Sequence, residues 1–334
     1  MKKTIALTLA VLLIALCAAY ALAESSNPMV MTEDGKVDIF QSTAYPAEGK
    51  TYKFAFIQNT GAHPYPQALV RFAQDECDKS GVELTVADAQ MDPQKQVDLI
   101  KSFITQGYDA ILNEPVDITS CLPAYQAAKE AGVVIIECAI PSDGATFELV
   151  NATVYGDAFE EGQKVAEGMM KFLPDGGNIV ILEGALATPA QIGRTGGFLD
   201  IIKDKPEYVV LDQQTTDWMR DKAVIVMEDF LVKYPQIDFV YGHDDVITSG
   251  AFQAIEAAGR EGILSGFVGA SADGVQLIKE GKATLAVDQP PEYEARLSVQ
   301  LAIRILNGET VEKVYTDKLG IVDTTNMDEF VPSY

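Results

Sequence analysis

Residues 82–137 constrain this chain more than any other stretch. Val82–Ala87 is a compact apolar run, and Asp92-Pro93 follows as a helix start. There an oxygen acceptor precedes a proline that loses nothing by lacking an N–H in the first turn. Val97, Ile100, Phe103 and Ile104 then recur at helical spacing. Gly107 supplies a left-handed residue to end the helix. Ala110–Leu112 forms the next strand, and Gly132 closes a further helix before Val133–Glu137. Such βαβαβ alternation builds a parallel sheet covered on both faces. Open sheets of that kind bind ligands beyond the carboxyl ends of their strands.

The chain opens with Lys2-Lys3, an apolar core over Ile5–Leu16 and the small-x-small sequence Ala21-Leu22-Ala23. This pattern predicts a secretory signal peptide over 1–23, because the apolar run is short for a membrane span of about 20 residues. Leu16 is bulky where a lipid-attachment site at Cys17 needs a small residue, so the expected product is a free exported protein. Removing Lys2 and Lys3 takes the formal charge from −24 to −26. That balance argues against nucleic acid or an anionic membrane surface as partner. Cys77, Cys121 and Cys138 remain, and their spacing matches no zinc or redox motif. They read as buried small side chains, with one disulfide open after export.

Residues 24–50 are polar and without sustained period, as in a lead-in segment. Tyr52–Gln58 is a strand, Pro66–Lys79 a helix, Leu149–Val154 a strand and Ala158–Phe172 a helix. A second alternation follows the turn Pro174-Asp175-Gly176-Gly177. Strands are expected at Asn178–Leu182, Tyr208–Asp212, Phe239–Gly242, Phe267–Ala270 and Thr284–Val287. Helices are expected at Gln191–Lys203, Met219–Lys233, Ile247–Ala258, Gly274–Gly281 and Glu292–Asn307. The pattern is that of two similar α/β halves joined near Tyr155–Asp157.

No dinucleotide fingerprint or phosphate loop opens the first helix, where Asn59-Thr60-Gly61-Ala62-His63-Pro64 stands instead. No cofactor is expected. There is no nucleophile elbow. The two histidines, His63 and His243, both follow strands; with Asp244 and Asp245 they leave a metal site open, one histidine coming from each half. Glu114, Glu137, Glu183, Asp244, Asp245 and Asp288 all fall at strand ends. They suit acid–base work or the hydroxyls of a polar ligand. Trp218, the single tryptophan, is flanked by Asp217 and Arg220, which predicts partial exposure. Trp218 and Tyr65 offer flat faces for sugar C–H groups or a cation.

From about Tyr52 to about Asp323 the chain resembles the type I periplasmic substrate-binding proteins, in the ribose-binding-like group of ABC transporter receptors. The resemblance rests on Ala87-Asp88-Ala89-Gln90-x-Asp92-Pro93-x-Lys95-Gln96, Gln106-Gly107-Tyr108-Asp109-Ala110-Ile111-Leu112 and Pro115-Val116-Asp117. Ala127–Gly132, Asp157 with Gly162, Arg194–Phe198, Asp217-Trp218-x-Arg220 and His243-Asp244-Asp245 before Gly250-Ala251 extend it. It implies two Rossmann-like lobes with parallel sheets joined by a three-strand hinge, 51–156 with 288–313 and 157–287 with 314–334. It also implies closure around a small ligand and docking on a membrane permease.

The ligand pattern of the sugar group is altered. The segment after the first strand is His63-Pro64-Tyr65-Pro66, and an Asp-Arg clamp falls on Ala139-Ile140. A second arginine falls on Ile192, the asparagine of an Asn-Asp pair becomes Asp244, and the aromatic position is kept as Trp218. A lobe-closing aspartate falls near Ser271, and a glutamine at the last crossing falls on Val287 or Asp288. The expected contacts are His63, Tyr65, Trp218, Asp244 and Asp288, with Arg194, Asn113 and Glu137 beside them. The expected function is that of a monomeric periplasmic receptor for a monosaccharide-like ligand. A cationic or nitrogenous ligand, a chemosensory partner and a metal-dependent secreted enzyme are the alternatives.

Overall fold

The computed structural model describes residues 28–334; the expected signal peptide lies outside them. The described residues divide into two compact α/β units, one comprising 28–155 with Glu292–Tyr315, the other Gly156–Pro291 with Thr316–Tyr334.

In the first unit, strands β1 (Lys53–Gln58), β2 (Glu83–Asp88), β3 (Ala110–Asn113), β4 (Val134–Cys138) and β5 (Ala152–Tyr155) run parallel, and β11 (Val314–Thr316) completes the sheet in the order β11-β5-β4-β3-β1-β2. Its helices are α1 (Pro64–Ser80), α2 (Pro93–Thr105), α3 (Leu122–Ala131), the short α4 (Gly144–Phe147) and α10 (Pro291–Leu306). Asp92 caps α2 as the sequence predicts, accepting from the N–H groups of Gln94 and Lys95. The apolar stripe of α2 packs with α3 on one sheet face, where Ile100, Phe103 and Tyr125 meet Ile57, Ile111 and Ile135. The first helix starts earlier than its apolar period indicates. His63 Nδ1 caps it and Pro64 occupies its first turn, so Tyr65 is helical rather than part of a loop.

The lead-in residues do more than space the chain. Val37, Ile39 and Ala44 are buried. Carbonyls of this segment accept from α10: Ile39 from Gln300 at 3.0 Å and Thr43 from Arg304 at 3.0 Å. Arg304 is 2 % exposed and also pairs with Glu309 at 2.9 Å. Polar composition hid this docking, because the partners of the polar groups lie some 260 residues away.

In the second unit, β6 (Gly177–Glu183), β7 (Tyr208–Thr215), β8 (Phe239–Gly242), β9 (Leu264–Gly269) and β10 (Leu285–Asp288) are parallel. An antiparallel edge strand, β12 (Ile321–Asp323), gives the order β12-β10-β9-β8-β6-β7. The helices are α5 (Ala158–Phe172), α6 (Pro189–Ile202), α7 (Arg220–Lys233), α8 (Asp245–Ala257) and α9 (Ala272–Lys279). Val165, Met169, Phe198, Ile181, Tyr241 and Leu285 form one core layer, and Met227, Phe230, Val180, Val240 and Ile255 another.

The two sheets repeat one topology, and the repeat extends to backbone strain. After β2 the pair Gln90-Met91 has φ of 57° and 55°; after β7 the pair Asp217-Trp218 has 51° and 61°. After β4 Ala139 has φ 69°, and after β9 Ala270 has φ 55°. Side chains with Cβ seldom adopt this region, and such outliers concentrate at functional rims.

Candidate functional site

Each unit gathers polar side chains at the carboxyl ends of its parallel strands. In the first unit, His63 is half-buried and its Nδ1 accepts the Tyr65 N–H. Tyr65 donates its phenol proton to buried Glu294 at 2.7 Å. Glu114, just past β3, accepts the Asn59 N–H at 3.1 Å. Burial pushes its carboxyl up to about 8, against the opposing pull of the Asn59 amide and the nearby His63.

Asn113 and Glu137 face inward. Asn113 is fully buried; its amide donates to Tyr125 at 2.7 Å, and its oxygen accepts from Gln96 at 3.1 Å. The side chain therefore fixes the β3 end rather than presenting itself at the rim. Glu137, also fully buried, accepts from the Ser142 N–H at 2.7 Å and from the Ser142 hydroxyl. Burial raises its carboxyl to about 7 despite these donors.

In the second unit the central side chain is Arg194 on α6. Its position follows from small residues: a Cβ on Gly162 would lie 2.1 Å from the Arg194 carbonyl oxygen, and one on Gly197 1.9 Å from that of Phe159. Without side chains there, α5 and α6 touch backbone to backbone, which brings Arg194 onto Glu161. The guanidinium donates to Glu161 at 2.7 Å, to the His243 carbonyl at 2.7 Å and to Gln289 at 2.9 Å. Pairing with Glu161 overrides the burial penalty, so the group stays charged. Arg194 is thus a buried brace joining α5, β8 and the segment after β10.

His243 is wholly buried, and desolvation, with the Arg194 charge, holds its pKa well below the usual imidazole value. Nδ1 accepts the Gly184 N–H at 3.2 Å. The ring proton therefore sits on Nε2, directed at Thr195 Oγ1 at 3.1 Å; that hydroxyl donates to Glu183 at 2.5 Å. A neutral ring held in this way lacks both the exposure and the free nitrogen that a metal ligand needs. Among the described residues no group of three His, Cys, Asp or Glu side chains is placed to hold a metal ion.

Above this layer stands Trp218, half-buried as its flanking charges predict. Its ring centroid lies 6.2 Å from that of His243, and the Arg194 guanidinium carbon is 5.8 Å from it. Asp244 caps α8 through the Ile247 N–H at 2.7 Å. Asp245 accepts the Ser271 hydroxyl proton. Asp288, half-buried at the β10 end, is raised to about 7 by desolvation. Cys77, Cys121 and Cys138 are separate buried thiols.

Sequence reasoning singled out Trp218, Asp244 and Asp288 at this rim. It missed the linkage of Glu161, Thr195 and Gln289 to Arg194 and His243. The glycines of α5 and α6 were the available signal for the first of these.

Two repeated α/β units with polar rims at their strand ends define the architecture of a bilobal solute receptor. The comparisons specify the family: residues 54–310 match the periplasmic binding protein domain, and the chain belongs to that family. It is 29 % identical to the ribose import binding protein of Bacillus subtilis over 270 residues, covering 81 % of this chain and 87 % of the relative. It is 31 % identical to the galactofuranose-binding protein of Escherichia coli over 231 residues, 67 % of this chain and 73 % of that one. A Bacillus halodurans ABC transporter solute-binding protein, solved with bound myo-inositol, superposes with TM-score 0.80 at 28 % identity, over 86 % of this chain and 99 % of that one. The chain is a solute-binding protein of the ABC transporter receptor type.

Proposed function

We propose that this protein is a receptor for a neutral monosaccharide or cyclic polyol. The observation that carries the reading is Trp218, whose indole is set in a strained loop beside Arg194 and His243. An aromatic face next to hydrogen-bonding groups suits a ring that is apolar on its C–H faces and polar at its rim. The rim carboxyls support a neutral ligand over a cation. Burial raises Glu114 to about 8 and Asp288 to about 7, which weakens both as fixed negative charges near neutral pH. Arg194 is already neutralised by Glu161.

The proposed contacts are His63, Tyr65, Trp218, Asp244 and Asp288, while Asn113, Glu137 and Arg194 position them. Binding proceeds by closure of the two units about their connecting segments, each rim supplying part of the contacts. The protein works outside the cytoplasm as a monomer, without catalysis, and delivers its ligand to the permease of an ABC importer. The relatives' ligands support this reading: ribose and galactofuranose receptors in sequence, a myo-inositol complex in structure.

The test is a thermal-shift panel on protein unfolded and refolded to strip carried ligand. A ligand at about 100 times its Kd stabilises by roughly 2.7 kcal/mol. Hits confined to sugars and polyols, with affinity insensitive to salt, support the proposal. A hit among amines whose affinity falls with salt replaces it with the cationic reading.

A further inference from the structure

The C-terminal segment runs from β12 back across the second unit. Met327 and Phe330 pack on the cluster formed by Phe267, Ala270, Val275 and Ala286. The segment is then tied down by its backbone: the Ala272 N–H, at the start of α9, donates to the Tyr334 carbonyl at 2.7 Å. This anchor holds the Tyr334 backbone beside α9. A Cβ built on Gly269, the last residue of β9, would lie 3.1 Å from the Tyr334 phenol oxygen and 3.8 Å from the Asp245 carboxyl carbon. The phenol therefore stands at the carboxyl end of the sheet, close to the carboxylate that Ser271 holds in place. Gly269, at φ 132°, leaves the space it occupies.

From this geometry we infer that Tyr334 is a specificity-determining residue of the ligand site, its phenol hydrogen-bonding a hydroxyl of the bound polyol from the position beside Asp245. The inference rests on the reading of the protein as a polyol receptor. The electrostatic surroundings agree with the placement. Burial, with Asp245, Asp244 and Asp288 nearby, raises the phenol well above its ordinary value, so it remains a donor across the working pH range. A donor at that point complements acceptor-rich Asp244 and Asp245. A ligand hydroxyl that accepts from Tyr334 and donates to a carboxylate has both of its polar functions used, which is where a buried polar contact discriminates most strongly.

The experiment is calorimetric titration of refolded wild type, Tyr334→Phe and Tyr334→Leu with pentoses, hexoses and inositols at up to 10 mM (~100 times a typical sub-millimolar Kd). Circular dichroism and Tm confirm that each variant is folded. The expected result is at least about tenfold weaker binding by Tyr334→Phe, one buried hydrogen bond being about 1.4 kcal/mol. The loss should be concentrated on sugars carrying one particular hydroxyl and absent for the matching deoxy sugar. Equal affinity in wild type and Tyr334→Phe overturns the inference and leaves the polyol reading standing. Tighter binding by Tyr334→Leu also overturns it, showing that the segment fills the site as a plug. If wild type binds no member of the panel, both fall together.

Discussion

The indole of Trp218 lies directly on the backbone of Gly184: a Cβ placed on Gly184 would sit 2.1 Å from the ring. Glycine at the β6 end is thus a requirement of the aromatic wall, which Trp218 enters with a left-handed backbone, φ 61°. Gly184→Ala should displace the indole at a cost of about 1–3 kcal/mol in stability and weaken ligand binding by tenfold or more. Trp218 is the only tryptophan, so ligand titration followed by intrinsic fluorescence reads this wall alone. Wild type should change emission on binding; a silent signal at saturation would remove Trp218 from the contact set.

Arg194 should behave as a brace. Removing one partner of a buried ion pair leaves the other charge stranded, at about 3–5 kcal/mol. Arg194→Ala is therefore expected to lower urea-unfolding stability by that amount. Arg194→Lys should recover only part of it, because a single ammonium cannot reproduce the fork that reaches Glu161, His243 and Gln289. Full recovery by lysine would show that charge alone matters.

Glu114 gives a pH signature. Its folded pKa is raised to about 8, while an unfolded glutamate titrates near 4.3. Below that lower value both states hold the proton. Between the two values only the folded state does, so stability falls as pH rises through the window, by roughly 1.4 kcal/mol per pH unit at most. Glu114→Gln removes this dependence. Its Tm relative to wild type should climb from pH 5 to pH 8; parallel pH profiles would contradict the assignment.

Ile39 tests whether residues 28–50 belong to the first unit's core. It is 5 % exposed, so Ile39→Ala should cost about 2–4 kcal/mol. A change within about 0.5 kcal/mol, as for an ordinary surface site, would return the segment to the role of a spacer.

The thiols should be silent. Cys77, Cys121 and Cys138 are buried, and burial raises the Cys121 thiol to about 12. A thiol reagent should label none of the three in the native protein and all three in urea.

What the sequence determined by itself was whatever depends on neighbours along the chain. The α2 cap at Asp92, the left-handed glycines 107 and 132, the strand runs and the alternation that makes five strands of each sheet parallel are all local. So was the placement of Trp218, Asp244 and Asp288 near strand ends, because strand termini follow from apolar runs. Tertiary structure decided what required distant residues. Arg194 became a brace because Gly162 and Gly197 let two helices touch and so delivered Glu161 to it. Asn113 turned inward because Gln96 and Tyr125 surround the β3 end. The polar lead-in became core because its carbonyls meet Gln300 and Arg304 on a helix near the other end of the chain. Hydrophobic periodicity reports which face of an element is buried; it carries no record of which remote polar group will satisfy a buried carbonyl or charge, and that choice is made only when the layers pack.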